Sequence, residues 1–382
     1  MVRPSWLLAA MITLAAHAAP APSGRLAYLR DGAAWVQALG SRTVQMPDSA
    51  GAVWVSLSPT DGTCLYAVPA PGDQWTVRVS RSPYTESQGL LPAAGSYGVP
   101  VWTANGLRAY LAAGDAAVAY EPALGRTVPL AQAPDTLSAD GSVAAWRGER
   151  GLRLRLTGTG AERDLFSIGR PEALLASLKS VRHPRRMTDL TGAVDRELWS
   201  DAGNWQFSLP ALMPDGQRLF FATNAGTGAG AAGNCGWCLF AVDTANGKPA
   251  PLSGLGALYG RVPHWLSVSP DGRYLAFLDS LHDSALRNPV GLHLTELLTQ
   301  SDRELLWAGH DAEKDACVGD EACWSPDSRY IAVSVAWYNP DELVKAEATE
   351  VPAKLFGLTV FDAASGRAVM TVPGGRSPSW GK

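Results

Sequence analysis

The sequence predicts an all-β protein made of repeated four-stranded units. Three observations point to this class. Turn-forming and aromatic residues are abundant, with Gly 39, Pro 27 and Trp 14 in 382 residues, and this combination favours short strands joined by tight turns. A pattern of strand, turn and strand recurs along the chain. The two ends of the chain each resemble one half of that pattern.

The composition excludes two other classes of protein. Charged residues are 18% and hydrophobic residues 46% of the chain, whereas intrinsically disordered chains combine low hydrophobicity with high net charge. The formal net charge of −4 provides no overall basic field, so we expect no nucleic-acid partner.

The recurring pattern is clearest from Trp265 to Phe277, which read Trp-Leu-Ser-Val-Ser-Pro-Asp-Gly-Arg-Tyr-Leu-Ala-Phe. An apolar strand leads into a Ser-Pro-Asp-Gly turn, and a strand of alternating apolar residues follows. Pro presets the first dihedral angle of the turn, Asp bonds the nearby backbone, and Gly accepts a positive φ. The turn glycine or its equivalent falls at Gly62, Gly106, Gly141, Gly216, Gly272 and Ser328.

A second recurring turn completes the unit. Asp243–Lys248 and Asp362–Arg367 each follow one apolar strand and precede another, which gives four strands a unit. Units of about 40–50 residues with four strands are typical of propeller blades. The longer interval between Gly141 and Gly216 therefore predicts one blade plus an insertion at about 167–206.

The ends of the chain predict a closed ring. Arg25–Leu29 resembles the strand after the turn, and Ser377–Trp380 resembles the strand before it. Pairing of these two strands would remove the exposed edges of the ring. The sequence thus predicts a seven-bladed β-propeller of four-stranded antiparallel blades, with residues 19–382 as one domain. Five tryptophans of the repeat are expected to pack on its inner strands: Trp54, Trp102, Trp265, Trp324 and Trp380.

The stretch from Ser269 to Phe277 resembles the repeats of TolB-type (WD-like) β-propellers. The resemblance covers nearly the whole chain after residue 18 and is strongest at 52–91, 264–309 and 321–374. It implies a fold and no particular chemistry, because one fold hosts many functions. The family includes periplasmic scaffold proteins, propeller domains of serine peptidases and polysaccharide-degrading enzymes, so binding and enzymatic roles both stay open.

The first 18 residues match a secretion signal. Arg3 precedes the apolar run Leu7–Ala16, and Ala16 and Ala18 supply small residues for cleavage. The sequence predicts a signal peptide at 1–18 and a periplasmic or secreted location, with a buried N-terminal helix as the alternative. No other stretch is apolar enough to predict a transmembrane segment.

Export would place five cysteines in an oxidising compartment. Cys235 and Cys238 predict a local disulfide, with a redox pair or half of a zinc site as alternatives. Cys317 and Cys323 predict a second disulfide. Cys64 lies beside an apolar strand, which predicts an inert buried thiol.

Long connections are predicted to crowd one face of the propeller. With the strands of a blade numbered a to d outward, the a–b and c–d connections share one face, which we call the short-turn face. The b–c and d–a connections share the other, which we call the long-loop face. The long segments belong to the second group: 167–206, 223–236, 279–290, 308–320 and 336–354. Loops on a rigid scaffold commonly carry function, although surface loops also tolerate insertions without function.

Three features of these segments suggest ligands, each with a simpler alternative. The basic cluster Arg182–Arg186 is followed by Trp199 and Trp205, and together they could bind an acidic glycan or a peptide. The simpler alternative is a solvated basic loop. The acidic segment Asp311–Glu321 suits calcium, or is a disulfide-pinned surface loop. The histidines lack the close spacing of a metal site, so we expect no metal and no cofactor.

The predicted function is that of an exported, monomeric binding or scaffold module, and more a binder than an enzyme. Its protein or glycan partner would contact the long-loop face. The candidate contact residues are Arg185, Arg186, Trp199, Trp205, Trp237, His264, His282, Asp311, Trp337 and Tyr338. The alternative is a carbohydrate-active lyase or hydrolase of the propeller type, with its site at the mouth of the central channel.

Overall fold

Seven antiparallel β-sheets form the described part of the protein. The computed structural model describes residues 22–114, 116–148, 151–156, 159–167, 208–223, 236–252, 257–259, 261–281, 291–307, 316–337 and 355–382. Each sheet is one blade, and residues from the inner strands of all seven blades line a central channel. The predicted seven-bladed propeller is confirmed.

The first three blades use the N-terminal part of the chain and its last strand. Blade 1 contains β1 (Arg25–Arg30), β2 (Ala33–Ala38), β3 (Thr43–Gln45) and β29 (Arg376–Gly381). Blade 2 contains β4 (Trp54–Leu57), β5 (Cys64–Ala70), β6 (Gln74–Ser80) and β7 (Ser87–Ala94). Blade 3 contains β8 (Val101–Trp102), β9 (Ala109–Ala113), β10 (Ala116–Glu121) and β11 (Arg126–Leu130).

The other four blades follow in chain order. Blade 4 contains β12 (Thr136–Leu137), β13 (Val143–Gly148), β14 (Gly151–Leu156) and β15 (Ala161–Ser167). Blade 5 contains β16 (Ala211–Leu212), β17 (Arg218–Thr223), β18 (Gly236–Asp243), β19 (Pro249–Pro251) and β20 (Ala257–Tyr259). Blade 6 contains β21 (Arg261–Val268), β22 (Tyr274–Leu281), β23 (Gly291–Glu296) and β24 (Ser301–Trp307). Blade 7 contains β25 (Ala316–Trp324), β26 (Tyr330–Trp337), β27 (Leu355–Asp362) and β28 (Ala368–Pro373).

The ring is closed by the two ends of the chain, as predicted. Strand β29 pairs antiparallel with β1, with Leu26 opposite Trp380 and Ala27 opposite Ser379. The closing strand also bonds the next blade, because Ser379 Oγ accepts the Leu57 amide at 2.8 Å. Closure thus ties blade 1 to blade 2 as well as completing blade 1.

The repeated serine of the a–b turn has a structural role. The Ser269 hydroxyl donates to Asp271 Oδ1 at 2.6 Å and accepts the Tyr274 amide at 2.9 Å. Ser325 does the same with Asp327 and Tyr330. All six turn positions predicted to need a positive φ have one, between 61° and 72°. The motif is therefore a self-contained hydrogen-bonded turn that starts the second strand of a blade.

Apolar side chains fill the spaces between neighbouring blades. Six buried clusters each join residues of two adjacent blades, and burial of a large apolar side chain contributes roughly 1.5–3 kcal/mol. Trp54, Trp324 and Trp380 are buried, whereas Trp102 and Trp265 are partly buried against these clusters. The predicted packing role of the repeat tryptophans is confirmed.

Arginines also join neighbouring blades on the short-turn face. Arg81 donates to Pro122 O at 2.6 Å between blades 2 and 3. Arg163 donates to Ala245 O at 2.7 Å between blades 4 and 5. Arg303 donates to Ala364 O at 2.7 Å between blades 6 and 7. Each guanidinium satisfies a carbonyl of the c–d turn in the next blade, and charge-assisted bonds of this kind are the stronger ones.

Some predicted segments fall outside the described residues. These are the signal peptide at 1–18 and, apart from Ser167, the insertion at 167–206. Within the described ranges, no helix has the length and hydropathy needed to cross a membrane.

Candidate functional site

The central channel is a cavity of about 530 Å³ lined by all seven blades. Its walls carry hydroxyl groups from several inner strands, including those of Ser56, Ser267 and Ser379. The charged residues on its walls are Asp135, Glu321 and Lys382. A cavity of this size suits a small ligand or a short extended segment of a partner.

Hydroxyl groups of the channel wall also hold neighbouring blades together. Ser56 Oγ accepts the indole N–H of Trp102 at 2.9 Å, which joins blades 2 and 3. Thr136 Oγ1 accepts the Leu212 amide at 3.2 Å, which joins blades 4 and 5. The inner strands around the channel therefore form a rigid scaffold for the connections at its mouth.

Asp135 is an acid whose surroundings favour its neutral form. It directly precedes β12, and its Oδ2 accepts the Arg147 amide at 2.6 Å. The residue is exposed to the channel, and the surrounding protein desolvates its carboxyl group only in part. Burial raises the pKa of Asp135 above its ordinary value, against the opposing effects of the Arg147 amide bond and charge. Such a group stays protonated to a higher pH than a solvated aspartate does.

Lys382 and Glu321 complete the charged lining of the channel. The Lys382 amide donates to Pro59 O at 3.2 Å, and its carbonyl accepts Arg25 Nη1 at 2.6 Å. Glu321 lies in β25, where the pairing with β26 is irregular between Val318 and Ala322. The sequence interpretation of Glu321 as part of an acidic surface loop is wrong, because β25 carries this residue to the channel wall.

The predicted second disulfide is also wrong, since Cys323 is a free thiol. Cys317 and Cys323 lie on the same strand, opposite Ala336 and Ala332 of β26. Ala332 and Ala336 are four residues apart on β26, which corresponds to about 13 Å along a strand. The cysteines opposite them are therefore much farther apart than the Cα atoms of bridged cysteines, which lie roughly 4.4–6.8 Å apart. Burial raises the pKa of the Cys323 thiol well above its usual range.

The other cysteine expectations have different outcomes. Cys64 is fully buried, and burial raises the pKa of its thiol far above the ordinary value, so the predicted inert thiol is confirmed. Cys235 and the side chain of Cys238 lie outside the described residues. Their disulfide stays a prediction.

Most of the predicted contact residues lie outside what the structure describes. The residues concerned are Arg185, Arg186, Trp199, Trp205, His282, Asp311 and Tyr338. The backbone of three others is described: Trp237 in β18, His264 in β21 and Trp337 in β26. Their side chains are outside the described part, so the contact surface stays a prediction.

The connections between described strands differ strongly between the two faces. On the short-turn face, the a–b connections, such as 58–63 and 269–273, and the c–d connections, such as 122–125 and 363–367, are short in all blades. On the long-loop face, residues 168–210 connect β15 to β16, and residues 338–354 connect β26 to β27. The long connections follow strands of blades 4–7. Other connections on the same face are short, such as 71–73 within blade 2 and 374–375 between blades 7 and 1.

A buried charged cluster lies within blade 6. His293 Nδ1 is 3.1 Å from Asp302 Oδ2, and its Nε2 is 3.4 Å from Asp279 Oδ2. The imidazole stacks on Phe277 with ring centres 4.6 Å apart. Burial alone lowers the pKa of His293, but the hydrogen bonds and charges of the two aspartates outweigh it and raise the pKa to about 9. His293 is thus a cation held between two carboxylates.

Sequence reasoning missed both of these polar features. Asp135 had a weak signal, because a charged residue directly before an inner strand points towards a channel mouth. His293 had none, since the aspartates that face it lie on the two neighbouring strands of the blade, and the sequence does not indicate the register of those strands.

Comparison with known proteins gives similarities in structure and none in sequence families. No protein-family model matches the chain, and no curated protein sequence does. TolB from Acinetobacter baumannii is similar in structure, with 14% identity and a TM-score of 0.48 over 94% of this chain and 66% of the TolB chain. A prolyl endopeptidase has 12% identity and a TM-score of 0.54 over 92% of this chain and 50% of its own. An oligogalacturonate lyase in complex with manganese has 11% identity and a TM-score of 0.48, over 91% of this chain and 85% of the lyase.

The seven described blades have the architecture that the resemblance to TolB-type propellers implied. The chain spans about two thirds of the TolB chain and half of the endopeptidase chain. At 12% identity, the likeness to the endopeptidase concerns the fold alone.

Proposed function

We propose that the protein is an exported binding module whose protein or glycan partner contacts the long-loop face. The observation that supports this most is the unequal length of the connections. All seven blades keep short turns on one face, while long connections occur on the other, at 168–210, 224–235 and 338–354 among others. Random insertion would affect both faces, whereas a recognition surface needs variable loops on one side only.

The rigid scaffold supports the same proposal. Interblade hydrogen bonds, such as that from Trp102 to Ser56, and the closing strand β29 fix the inner strands. Loops that start from fixed strand ends lose less conformational freedom on binding, so more of the contact energy contributes to affinity. Tryptophan and arginine side chains, including Trp199 and Arg185, are the residue types that most often dominate binding surfaces.

The experiment compares two double variants, each of which removes one large apolar side chain and one arginine. Trp199→Ala with Arg185→Ala alters the long-loop face, and Leu298→Ala with Arg367→Ala alters exposed c–d turns of the short-turn face. Proteins and glycans captured from an extract of the source organism are then titrated individually against each variant. We expect the first variant to weaken binding at least tenfold and the second to leave it unchanged.

Equal loss in the two double variants would contradict the proposed surface. A second candidate function, a carbohydrate-active enzyme at the channel mouth, is supported by the position of Asp135 on the channel wall, where burial raises the pKa of its carboxyl group. Release of reducing ends from polysaccharides by the wild type, and its loss in Asp135→Asn, would support that function over binding alone.

A further inference from the structure

A second cavity lies between the outer strands of blades 2 and 3, away from the channel. Its volume is about 650 Å³, within the range of small-molecule sites. One wall is the c–d connection 81–86 with the start of β7, and the other is the c–d connection of blade 3 with the start of β11. Because both connections belong to the short-turn face, this groove is separate from the long-loop face.

The wall formed by residues 81–86 is held in a fixed conformation. Tyr84 has a φ of +63°, which is costly for an aromatic residue and persists only where the surroundings enforce it. Its ring is buried and its hydroxyl donates to Gly62 O at 2.8 Å. Ser80 Oγ donates to Glu86 O at 2.6 Å, which fixes the other end of the segment.

Arg81 fixes this wall against blade 3. Its Nη2 donates to Pro122 O at 2.6 Å and to the Tyr120 hydroxyl at 3.2 Å. The two walls of the groove are therefore joined before any ligand arrives. A preformed cavity of this kind loses little conformational freedom on binding.

The groove offers polar groups that the fold does not use. The hydroxyls of Ser82, Thr85 and Thr127 and the carboxylate of Glu86 line it, and none has a hydrogen-bond partner among the described residues. Gln88 also lines the groove and is exposed. Hydroxyls can both donate and accept, so this lining matches a ligand that carries several hydroxyl groups itself.

The groove is lined by two guanidinium groups, those of Arg81 and Arg126, and by one carboxylate, that of Glu86, so the charges of its lining leave a net positive charge of one. Arg81 uses Nη2 for the contacts with blade 3, which leaves its Nε and Nη1 available. Arg126 uses Nε to bond Glu121 Oε2 at 2.8 Å, and 62% of its side chain remains exposed. Guanidinium groups bind carboxylates through paired hydrogen bonds.

We propose that this groove binds a sugar acid, with its carboxylate at Arg81 and Arg126 and its hydroxyls at Ser82, Thr85 and Thr127. A phosphate would satisfy the arginines and leave the hydroxyl lining unused. A neutral sugar would use the hydroxyl lining and leave the arginines without an anion. The proposal is independent of the long-loop face and does not require a partner there.

The test is a calorimetric titration of the full chain with D-glucuronate. We expect D-glucuronate to bind at least tenfold more tightly than D-glucose, and inorganic phosphate not to displace it. Gln88→Trp fills the groove from an exposed position, and Arg126→Gln removes one guanidinium while Arg108 still pairs with Glu121. Each variant should weaken D-glucuronate binding at least tenfold.

Arg153→Gln is the matched control, because it removes an arginine of an exposed ion pair in blade 4, and neither Arg153 nor its partner Asp164 lines this groove. Its affinity for D-glucuronate should equal that of the wild type. A hyaluronan tetrasaccharide carries the same acid within a chain, so tighter binding of it identifies a glycan and weaker binding identifies a free sugar acid. Undiminished binding in Gln88→Trp, equal binding of phosphate or no binding of D-glucuronate would each overturn the proposal.

Discussion

The two faces of this propeller are stabilised in different ways. On the short-turn face, the same Ser-Pro-Asp-Gly chemistry recurs, and arginines such as Arg303 bond the turn of the next blade. On the long-loop face, connection lengths differ from blade to blade, from residues 374–375 to residues 168–210. One face is thus a repeated framework, and the other is free to vary.

Blade 6 shows how a blade is stabilised at its long-loop end, away from the repeated turns. Strand β22 leads from the repeated turn at 269–273 to the long connection 282–290, and Asp279 lies two residues before the end of that strand. Its carboxylate meets His293, the third residue after the connection, rather than a repeated turn residue. The long-loop end of blade 6 is therefore stabilised by a contact between side chains that do not belong to the repeat.

The largest effect is expected at this buried cluster. His293→Ala removes the imidazole that pairs with Asp279 inside the blade, and removing one partner of a buried ion pair costs about 3–5 kcal/mol. Chemical denaturation at pH 7 measures the loss. His293→Gln keeps polar atoms but no charge and should recover only part of it. A loss below about 1 kcal/mol would show that the cluster contributes little to the fold.

The pH dependence gives the same cluster a second signature. The pKa of His293 is raised from an ordinary 6.5 to about 9 in the folded protein, so its contribution to stability is complete below about pH 6.5. Between pH 6.5 and about 9 the folded state holds a proton that the unfolded state has released, so rising pH favours unfolding. The contribution is lost as pH rises through 9. The difference in unfolding free energy between wild type and His293→Gln should therefore shrink from pH 7 to 10.

The second effect compares equivalent glycines on the two faces. Gly106 on the short-turn face has a φ of +69°, and an added Cβ would contact the hydroxyls of Thr60 and Ser58. Gly72 on the long-loop face has a φ of +78°, and a Cβ there would meet no atom within 4 Å. We expect Gly106→Ala to cost about 2–3 kcal/mol and Gly72→Ala about 1 kcal/mol, from backbone strain alone.

Thermal and denaturant unfolding of the two glycine variants test this difference. Equal losses would mean that close packing of the repeated turns adds nothing to backbone strain. A larger loss for Gly72→Ala would reverse the proposed contrast between the two faces.

The smallest effect is expected at the arginine bonds between blades. Arg303→Ala removes hydrogen bonds to Ala363 O and Ala364 O and should lower the free energy of unfolding by about 1–2 kcal/mol. Arg153→Ala removes an ion pair whose side chains are both more than half exposed and should change it by less than about 0.5 kcal/mol. Indistinguishable urea midpoints for these variants would contradict a role of Arg303 in joining blades 6 and 7.

Much of the fold was predictable because the repeat is local. The turn at Ser269–Arg273 contains nearly all the hydrogen-bonding groups it needs, so its conformation can be read from a few consecutive residues. The closure by Arg25–Leu29 and Ser377–Trp380 was predictable for the same reason, since each segment matches one half of the repeat. The burial of Cys64 followed from the apolar strand beside it.

The site was much less predictable because its contacts depend on register. Cys317 and Cys323 are close in sequence, but an extended strand separates them, so the expected disulfide does not form at Cys323. Glu321 reaches the channel through the irregular pairing of β25 with β26, which no spacing in the sequence indicates. The surface proposed around Trp199 and Arg185 rests on loop placement alone.

The sequence by itself determined the number of blades, the positions of their turns and the pairing of the two chain ends. Each of these follows from short-range chemistry: the dihedral preferences of Pro and Gly, the Ser and Asp hydrogen bonds, and the alternation of apolar residues. The tertiary structure alone decided which polar groups meet, such as His293 with Asp279 and Asp302. Those contacts depend on the register in which three successive strands pair within the blade, and local preferences do not set that register.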